Sequence, residues 1–201
     1  MKRVNQPAEI EHLAFVPDLD ILVFSDSHGD SRLITRCLDA YPDTGLILHL
    51  GDHESSLQPA MHKANRPFLA VAGNCDWLTA DHLPDERFFV CAGLGIYMCH
   101  GHLFHVKRGY GELRRRVKKQ DDPINLVLFG HTHIPLVRTE SLNNKPVIFA
   151  NPGAAGRRFS SGHVSALLIR IRKNKLIEIR HLSEGDVNES AKQSQAEKVN
   201  P

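Results

Sequence analysis

Six short apolar runs in this chain each end in a polar loop that carries glycine, aspartate or histidine. Ile21 to Phe24 runs into SDSHGD, Leu46 to Leu50 into GDHE, and Phe68 to Ala72 into GNCD. Ile96 to Met98 runs into CHGH, Leu126 to Phe129 into GHTH, and Val147 to Ala150 into NPGAAG. Runs of this length, bounded by turn residues, read as buried strands. In open α/β sheets ligands bind beyond the carboxyl ends of the strands, where short loops converge. Six chemically similar loops in that position predict an α/β fold with one shared site.

Helical segments fit between the strands. Ser31 to Ala40 places Leu33, Ile34, Cys37 and Leu38 on one face, and a basic helix is expected over about Val106 to Lys119. Val164 to Ile171 and Leu176 to Ile179 flank Lys173, Asn174 and Lys175 and read as an antiparallel hairpin closing a sheet. The domain is expected over 18–182. Residues 1–17 form an N-terminal extension lying on it, and 183–201, rich in Ser, Glu, Lys, Asn and Gln, form a tail expected to be disordered.

Bulk properties exclude several function classes. With 201 residues and 41% apolar content the chain can bury a core without staples, and no apolar run reaches membrane-spanning length. Glu9, Glu11, Asp18 and Asp20 interrupt the first residues and argue against a signal peptide, so a cytoplasmic location is expected. Cys37, Cys75, Cys91 and Cys99 form no CxxC pair and read as reduced thiols. A net charge of +2 gives no bulk reason to expect a stable nucleic-acid partner, and no membrane partner is expected. A homo-oligomer is compatible with this composition.

Thirteen histidines are a heavy load for this length, and imidazole is a common metal ligand. Chance alone supplies about one HxH pair at that abundance, so a single pair carries no information. Two pairs, His100/His102 and His131/His133, both introduced by strands and joined by three further loops with Asp or Gly, carry a good deal. Two divalent ions about 3.5–4 Å apart need a bridging carboxylate and several N or O ligands shared between them. Asp52, beside Gly51, is the natural bridge. On an extended strand end, period-two alternation would turn Asp26 and His28 to one side and make His131 and His133 a second pair.

The order DxH, GD, GN, a strand-end His and GHxH resembles the calcineurin-like metallophosphoesterase superfamily, over about residues 18–182. GNCD, HGH and NPG are similar to its small bacterial and archaeal phosphodiesterase branch, related in fold to Vps29. The resemblance implies a four-layer αββα sandwich of two mixed β-sheets flanked by helices. It also implies two divalent metal ions, manganese first, with iron, zinc or nickel as alternatives. Asp26, His28 and His133 would hold one ion, Asp52 would bridge, and Asn74, His100 and His131 would hold the second. The implied activity is hydrolysis of a phosphoester, a phosphodiester in particular, by a metal-bridging hydroxide. The alternative is a non-catalytic metal-binding interaction scaffold resembling Vps29.

Many members of the superfamily carry GNH, whose histidine protonates the leaving group, where this chain has Cys75. A thiol hydrogen-bonds weakly, so another acid such as His102 is a candidate. The expected catalytic set is therefore Asn74, Cys75 and His102, with Asn74 and Asn151 contacting substrate. His102 is equally readable as support for the ligands, as a substrate contact or as polar surface. NPGAAGRR reads as a phosphate loop or as a tight turn shaping the rim. The run Lys107, Arg108, Arg114, Arg115, Arg116, Lys118 and Lys119 reads first as a solvated helix face and second as an anion-binding surface.

Overall fold

A computed structural model describes residues 7–53, 65–76, 83–158 and 163–190. The first sheet contains β1 (Leu19–Phe24), β2 (Leu46–His49), β3 (Phe68–Ala70), β9 (Ser165–Arg172) and β10 (Lys175–Ser183), in the order β10-β9-β1-β2-β3. The second contains β4 (Glu86–Cys91), β5 (Leu94–Cys99), β6 (Leu126–Phe129), β7 (Leu136–Leu142) and β8 (Lys145–Asn151), in the order β4-β5-β6-β8-β7. Both sheets are mixed. β1, β2 and β3 are mutually parallel, as are β5, β6 and β8, while the flanking strands run antiparallel.

Alternation along the strands generates the layers, because successive side chains leave opposite faces of a sheet. Ile21, Val23, Leu46 and Leu48 turn inward to meet Ile96, Met98, Leu126 and Leu128 of the second sheet in one central core. Leu22, Phe24 and Ile47 turn outward against Leu33, Ile34, Cys37 and Leu38 of α1 (Arg32–Ala40). On the far side Tyr97, Val127, Phe129 and Phe149 cover Leu113 and Val117 of α2 (Gly111–Lys118). The result is the expected helix-sheet-sheet-helix sandwich.

Several details differ from the expectations. The basic helix over 106–119 is broken: a 3-10 turn occupies Val106–Arg108, and α2 begins only at Gly111. Gly109, at φ +129°, supplies a backbone conformation that no helix interior accommodates. β4 and β7 were not anticipated. β7 is an edge strand whose seven residues bury only Glu140 and Leu142, so it carries no apolar run to detect. The tail begins with a helical stretch, α3, over 184–190, which buries Val187 against α1 and corrects the expectation of disorder there; 191–201 lie outside the described residues. At the other end Ile10 and Leu13, from the 3-10 segment Ala8–Ala14, are buried in the central core. No helix among the described residues is long and apolar enough to cross a membrane.

Candidate metal centre

The carboxyl ends of the parallel strands from both sheets meet at one edge, and backbone hydrogen bonds lace their loops together. Asp26 N–H donates to the Gly51 carbonyl at 3.0 Å, His28 N–H to Asp52 at 2.9 Å, and Gly130 N–H to His100 at 3.0 Å. Ala155 N–H reaches Ser25 at 2.8 Å, bringing the NPGAAG loop to the same edge. Two glycines are required by this closeness. A Cβ on Gly73 would sit 2.1 Å from Asp52 Oδ1, and one on Gly130 would sit 1.9 Å from Ser25 Oγ.

Ligand atoms of Asp26, His28 and His133 converge within 4.8 Å of one another, and so do those of Asp52, His100 and His131. A third convergence, His28, Asp52 and Cys75, shares His28 with the first and Asp52 with the second. The extended-strand explanation for these pairs is corrected by the backbone. Asp26, His28, Asp52, His131 and His133 all have positive φ, between +46° and +66°. Left-handed turns aim them, at a cost of order 1 kcal/mol or more each that only a surrounding scaffold can hold in place. His131 and His133 consequently do not act as a pair: His133 Nε2 lies 3.0 Å from Asp26 Oδ1, whereas His131 Nδ1 lies 3.2 Å from His100 Nε2.

The electrostatics favour a cation. His100 is fully buried and its Nδ1 contacts the Leu50 carbonyl at 2.7 Å, which fixes the tautomer and turns Nε2 into the cluster. There Nε2 faces Asp52 Oδ2 at 3.4 Å, Asp26 Oδ1 at 3.9 Å, Asn74 Oδ1 at 3.2 Å and His131 Nδ1 at 3.2 Å. A single proton cannot satisfy four acceptors, and a divalent cation can, so the donor set fits the implied metals. In the protein alone, burial opposes charge on His100, but Asp52 and Asp26 outweigh it and raise its pKa. His131 goes the other way: burial first, then His100 and Lys107, pull it down to about 4. Burial likewise opposes charge on Asp26 and Asp52, yet hydrogen bonds and charge from His133 and His100 respectively hold both below the usual carboxylate range. Mixed N and O donors of this kind suit transition ions more than calcium or magnesium.

The remaining expected residues divide. Asn74 turns Oδ1 to His100 and Nδ2 to Cys75 Sγ, at 3.2 and 3.3 Å, and so belongs to the cluster's open face. The His102 ring lies 5.3 Å from that of His100 and 6.1 Å from that of His131. Burial, then the neighbouring His100, lowers its pKa. Asn151 does not fit its expected substrate contact. It is fully buried, its Nδ2 donates to the Gly130 carbonyl (2.9 Å) and Thr132 Oγ1 (3.0 Å), and its Oδ1 accepts from Gly153 N–H (2.8 Å). It positions the GHTH loop.

Two further positioning residues were not assigned a role from sequence. Asp76, fully buried, accepts from the backbone N–H groups of Asp52 (2.7 Å), His53 (2.9 Å) and Gly73 (2.8 Å), clamping the GDHE and GNCD loops together. Its position as the last residue of GNCD was the available signal. His49 accepts from Gly51 N–H through Nδ1 (3.2 Å) and meets Ser27 Oγ through Nε2 (3.1 Å). Burial above all lowers its pKa to about 3, so it is a neutral strut.

Comparison with known proteins agrees with this geometry. A family model described as the calcineurin-like phosphoesterase superfamily domain matches residues 19–174. The "Probable metallophosphoesterase YsnB" of Bacillus subtilis strain 168 is 31% identical over 137 residues, 68% of this chain and 75% of that protein. A conserved Streptococcus pneumoniae TIGR4 protein, titled a predicted phosphoesterase, shares the fold with TM-score 0.63 at 22% identity, over 84% of this chain and 99% of that one. Vps29 of Entamoeba histolytica, solved with zinc, shares it with TM-score 0.60 at 17% identity, over 82% and 99%.

Proposed function

Because the chain belongs to the calcineurin-like phosphoesterase superfamily, we propose that it is a cytoplasmic, two-metal phosphodiesterase, with manganese the first choice of ion and iron, zinc or nickel alternatives. The observation that carries this reading is the inward face of His100, where one nitrogen meets four acceptors drawn from four loops. Asp26, His28 and His133 would hold one ion, Asn74, His100 and His131 the other, and Asp52 both. Bound there, divalent ions acidify water and neutralise phosphate oxygens.

The chain's own residues supply orientation. The Leu50 carbonyl fixes the His100 ring, Ser25 Oγ donates to Asp26 Oδ2 at 2.6 Å, and Cys75 N–H donates to Asp52 Oδ1 at 2.8 Å. Each leaves a ligand one free direction, toward the cluster. On the open face Asn74 would meet a phosphate oxygen, and Cys75 and His102 are the proposed proton donors to the departing oxygen. Neither is well suited to the task, since a thiol hydrogen-bonds weakly and burial, then His100, disfavours the charged form of His102. That favours diesters whose leaving groups need little protonation.

The test is hydrolysis of bis-p-nitrophenyl phosphate beside p-nitrophenyl phosphate, by protein stripped of metal and resupplied with manganese, with Asp52→Asn run in parallel. Turnover that returns with manganese, prefers the diester and vanishes in Asp52→Asn is expected. Turnover indifferent to chelation would sink the proposal. A second reading, a metal-binding interaction scaffold, is favoured by the likeness to Vps29; metal binding without turnover of either ester would establish it instead.

A further inference from the structure

Beside the metal centre lies a cleft of about 230 Å³ lined by Phe104, His105, Arg108, Glu112, Arg115 and two glycines. It is built by the broken segment that runs from His102 to α2. His102–Phe104 and Val106–Arg108 are consecutive 3-10 turns, tied by Phe104 N–H and Val106 N–H to the Gly101 carbonyl at 3.1 and 3.4 Å. Gly101 directly follows His100, so the cleft is rigidly attached to a ligand loop. His105 N–H donates to the His102 carbonyl at 3.1 Å, so this turn sets the cleft close against His102.

Several arginines elsewhere in the molecule are answered by acids. Arg114 pairs with Glu140 at 2.8 Å, Arg116 with Glu86, Arg36 with Glu184 at 3.2 Å and Arg172 with Asp20 at 2.5 Å. Arg108 is exposed and, among the described residues, its guanidinium meets neither an acid nor a carbonyl. Arg115 has only Glu112 at 4.0 Å, and Glu112 shares that contact with His105 at 4.0 Å. Lys107 is exposed and has no acidic partner among the described residues. Fixed positive charge left unanswered beside a cationic metal centre is unfavourable for the protein alone and favourable once an anion arrives.

We propose that Lys107, Arg108 and the cleft form a subsite for the phosphates of a short single-stranded oligonucleotide leading away from the metal centre. A strand continuing past the phosphate being cut runs onto the turn that follows His102, where Lys107, Arg108 and the cleft can meet its next phosphates. Phe104 and His105 add ring faces beside the cations, the combination with which sequence-tolerant single-strand sites hold bases and backbone. The inference rests on the phosphodiesterase reading and makes the strand a transient substrate, compatible with the absence of any bulk positive charge.

The experiment uses the full, manganese-loaded chain and a fluorescein-labelled short oligothymidylate. Binding is read by anisotropy and any cleavage by kcat/KM, each across a salt series. Lys107→Ala/Arg108→Ala should weaken binding about tenfold at low salt. It should reduce the slope of log affinity against log salt by about 1.4, two single-strand phosphate contacts' worth. Hydrolysis of bis-p-nitrophenyl phosphate should stay within about twofold of wild type, because that ester has no second phosphate to reach the cleft. Lys118→Ala/Lys119→Ala, equal in charge change but off the cleft, should do neither. Equal effects of the two double variants, an unchanged slope, or no binding by wild type would overturn the subsite. Wild type that binds the strand in this variant-sensitive way yet leaves bis-p-nitrophenyl phosphate intact would keep the subsite and remove the phosphodiesterase reading instead.

Discussion

Asp26 and Asp52, buried at one edge of the sandwich, and Glu86, half-buried on its flank, are carboxylates answered in opposite ways. Glu86, on β4, accepts from Tyr97 Oη on β5 and from Arg116 Nε on α2, the latter at 3.0 Å to both oxygens. Permanent donors face a permanent acceptor and the account closes within the protein. Asp26 and Asp52 instead face imidazoles, whose nitrogens are lone pairs or donors as occasion demands. His131, pulled down to about 4, is a lone pair, while Asp52 and Asp26 pull His100 the other way and the four acceptors around its Nε2 remain underserved. The first arrangement is complete and holds a strand and a helix together; the second is complete only with added positive charge. The comparison separates structural from functional buried charge without appeal to the family.

The largest expected effects come from removing the negative charge that the second arrangement presents. Asp52→Asn should lower manganese-dependent kcat/KM by at least about 10³-fold, since several kcal/mol of charge stabilisation depend on the ions it would bridge. Its thermal midpoint without metal should fall only modestly, by the weakened hydrogen bond from Cys75 N–H and the lost attraction to His100. A metal-free midpoint that collapses would assign Asp52 to the structural class and break the contrast. Next, Asp76→Asn leaves every ligand in place but weakens three charge-assisted bonds to the Asp52, His53 and Gly73 amides. Supporting partners of metal ligands typically carry 10–100-fold of affinity, so manganese binding by calorimetry should weaken by about that much. Unchanged affinity would mean the loops hold their shape without the clamp.

The sequence made the strand-end loops and their ligand types legible because buried strands leave apolar runs and because DxH, GD and GHTH repeat one chemistry. It pointed to residues that the fold gathers into one cluster, for a partly wrong geometric reason. Left-handed φ at five of them is invisible in a residue pattern, since Asp and His tolerate that region without announcing it as Gly does. Asn151 was read as facing substrate because its loop looked like a phosphate cradle, and only packing reveals that its amide is consumed within the fold. β7 was missed because an edge strand may be polar without penalty. Asp76 shows the converse limit: its letter was in view, but a carboxylate that binds three backbone amides looks in sequence like any acid in a turn.

Chelation should separate the two regions by stability. A ligand at about 100 times its dissociation constant adds about 2.7 kcal/mol to the native state. For a chain of this size that corresponds to roughly 5–10 °C in thermal midpoint. Wild type should lose that increment when manganese is stripped, and Asp52→Asn should show little of it to lose. Glu86→Gln, whose network holds no vacancy for a cation, should lose the full increment. A midpoint indifferent to manganese in wild type would mean that the histidine cluster is as self-sufficient as the arginine pair.

The smallest effect tests the other side of the comparison. Glu86→Gln keeps the shape of the side chain and removes its charge, leaving Arg116 facing a neutral amide. Burial works against the Glu86 carboxylate, but the hydrogen bonds from Arg116 and Tyr97 prevail and hold its pKa below the ordinary 4.5. A carboxyl depressed in the folded state contributes stability that is present above its unfolded value and lost as pH falls through its folded one. The side chain is about 30% exposed, so the contribution at pH 7 is modest, about 1 kcal/mol or 2–4 °C in midpoint. The wild-type advantage over Glu86→Gln should therefore be constant near neutrality and shrink as pH drops below 4.5, where both side chains become neutral. Hydrolysis of bis-p-nitrophenyl phosphate should stay within about twofold at pH 7, because among the described residues the Glu86 side chain bonds to Tyr97 and Arg116 and to none of the proposed ligands. A large loss of turnover with an unchanged midpoint would invert the comparison, moving the arginine-answered carboxylate into the chemistry and leaving the sandwich flank to be held by packing of Leu113 and Val117 alone.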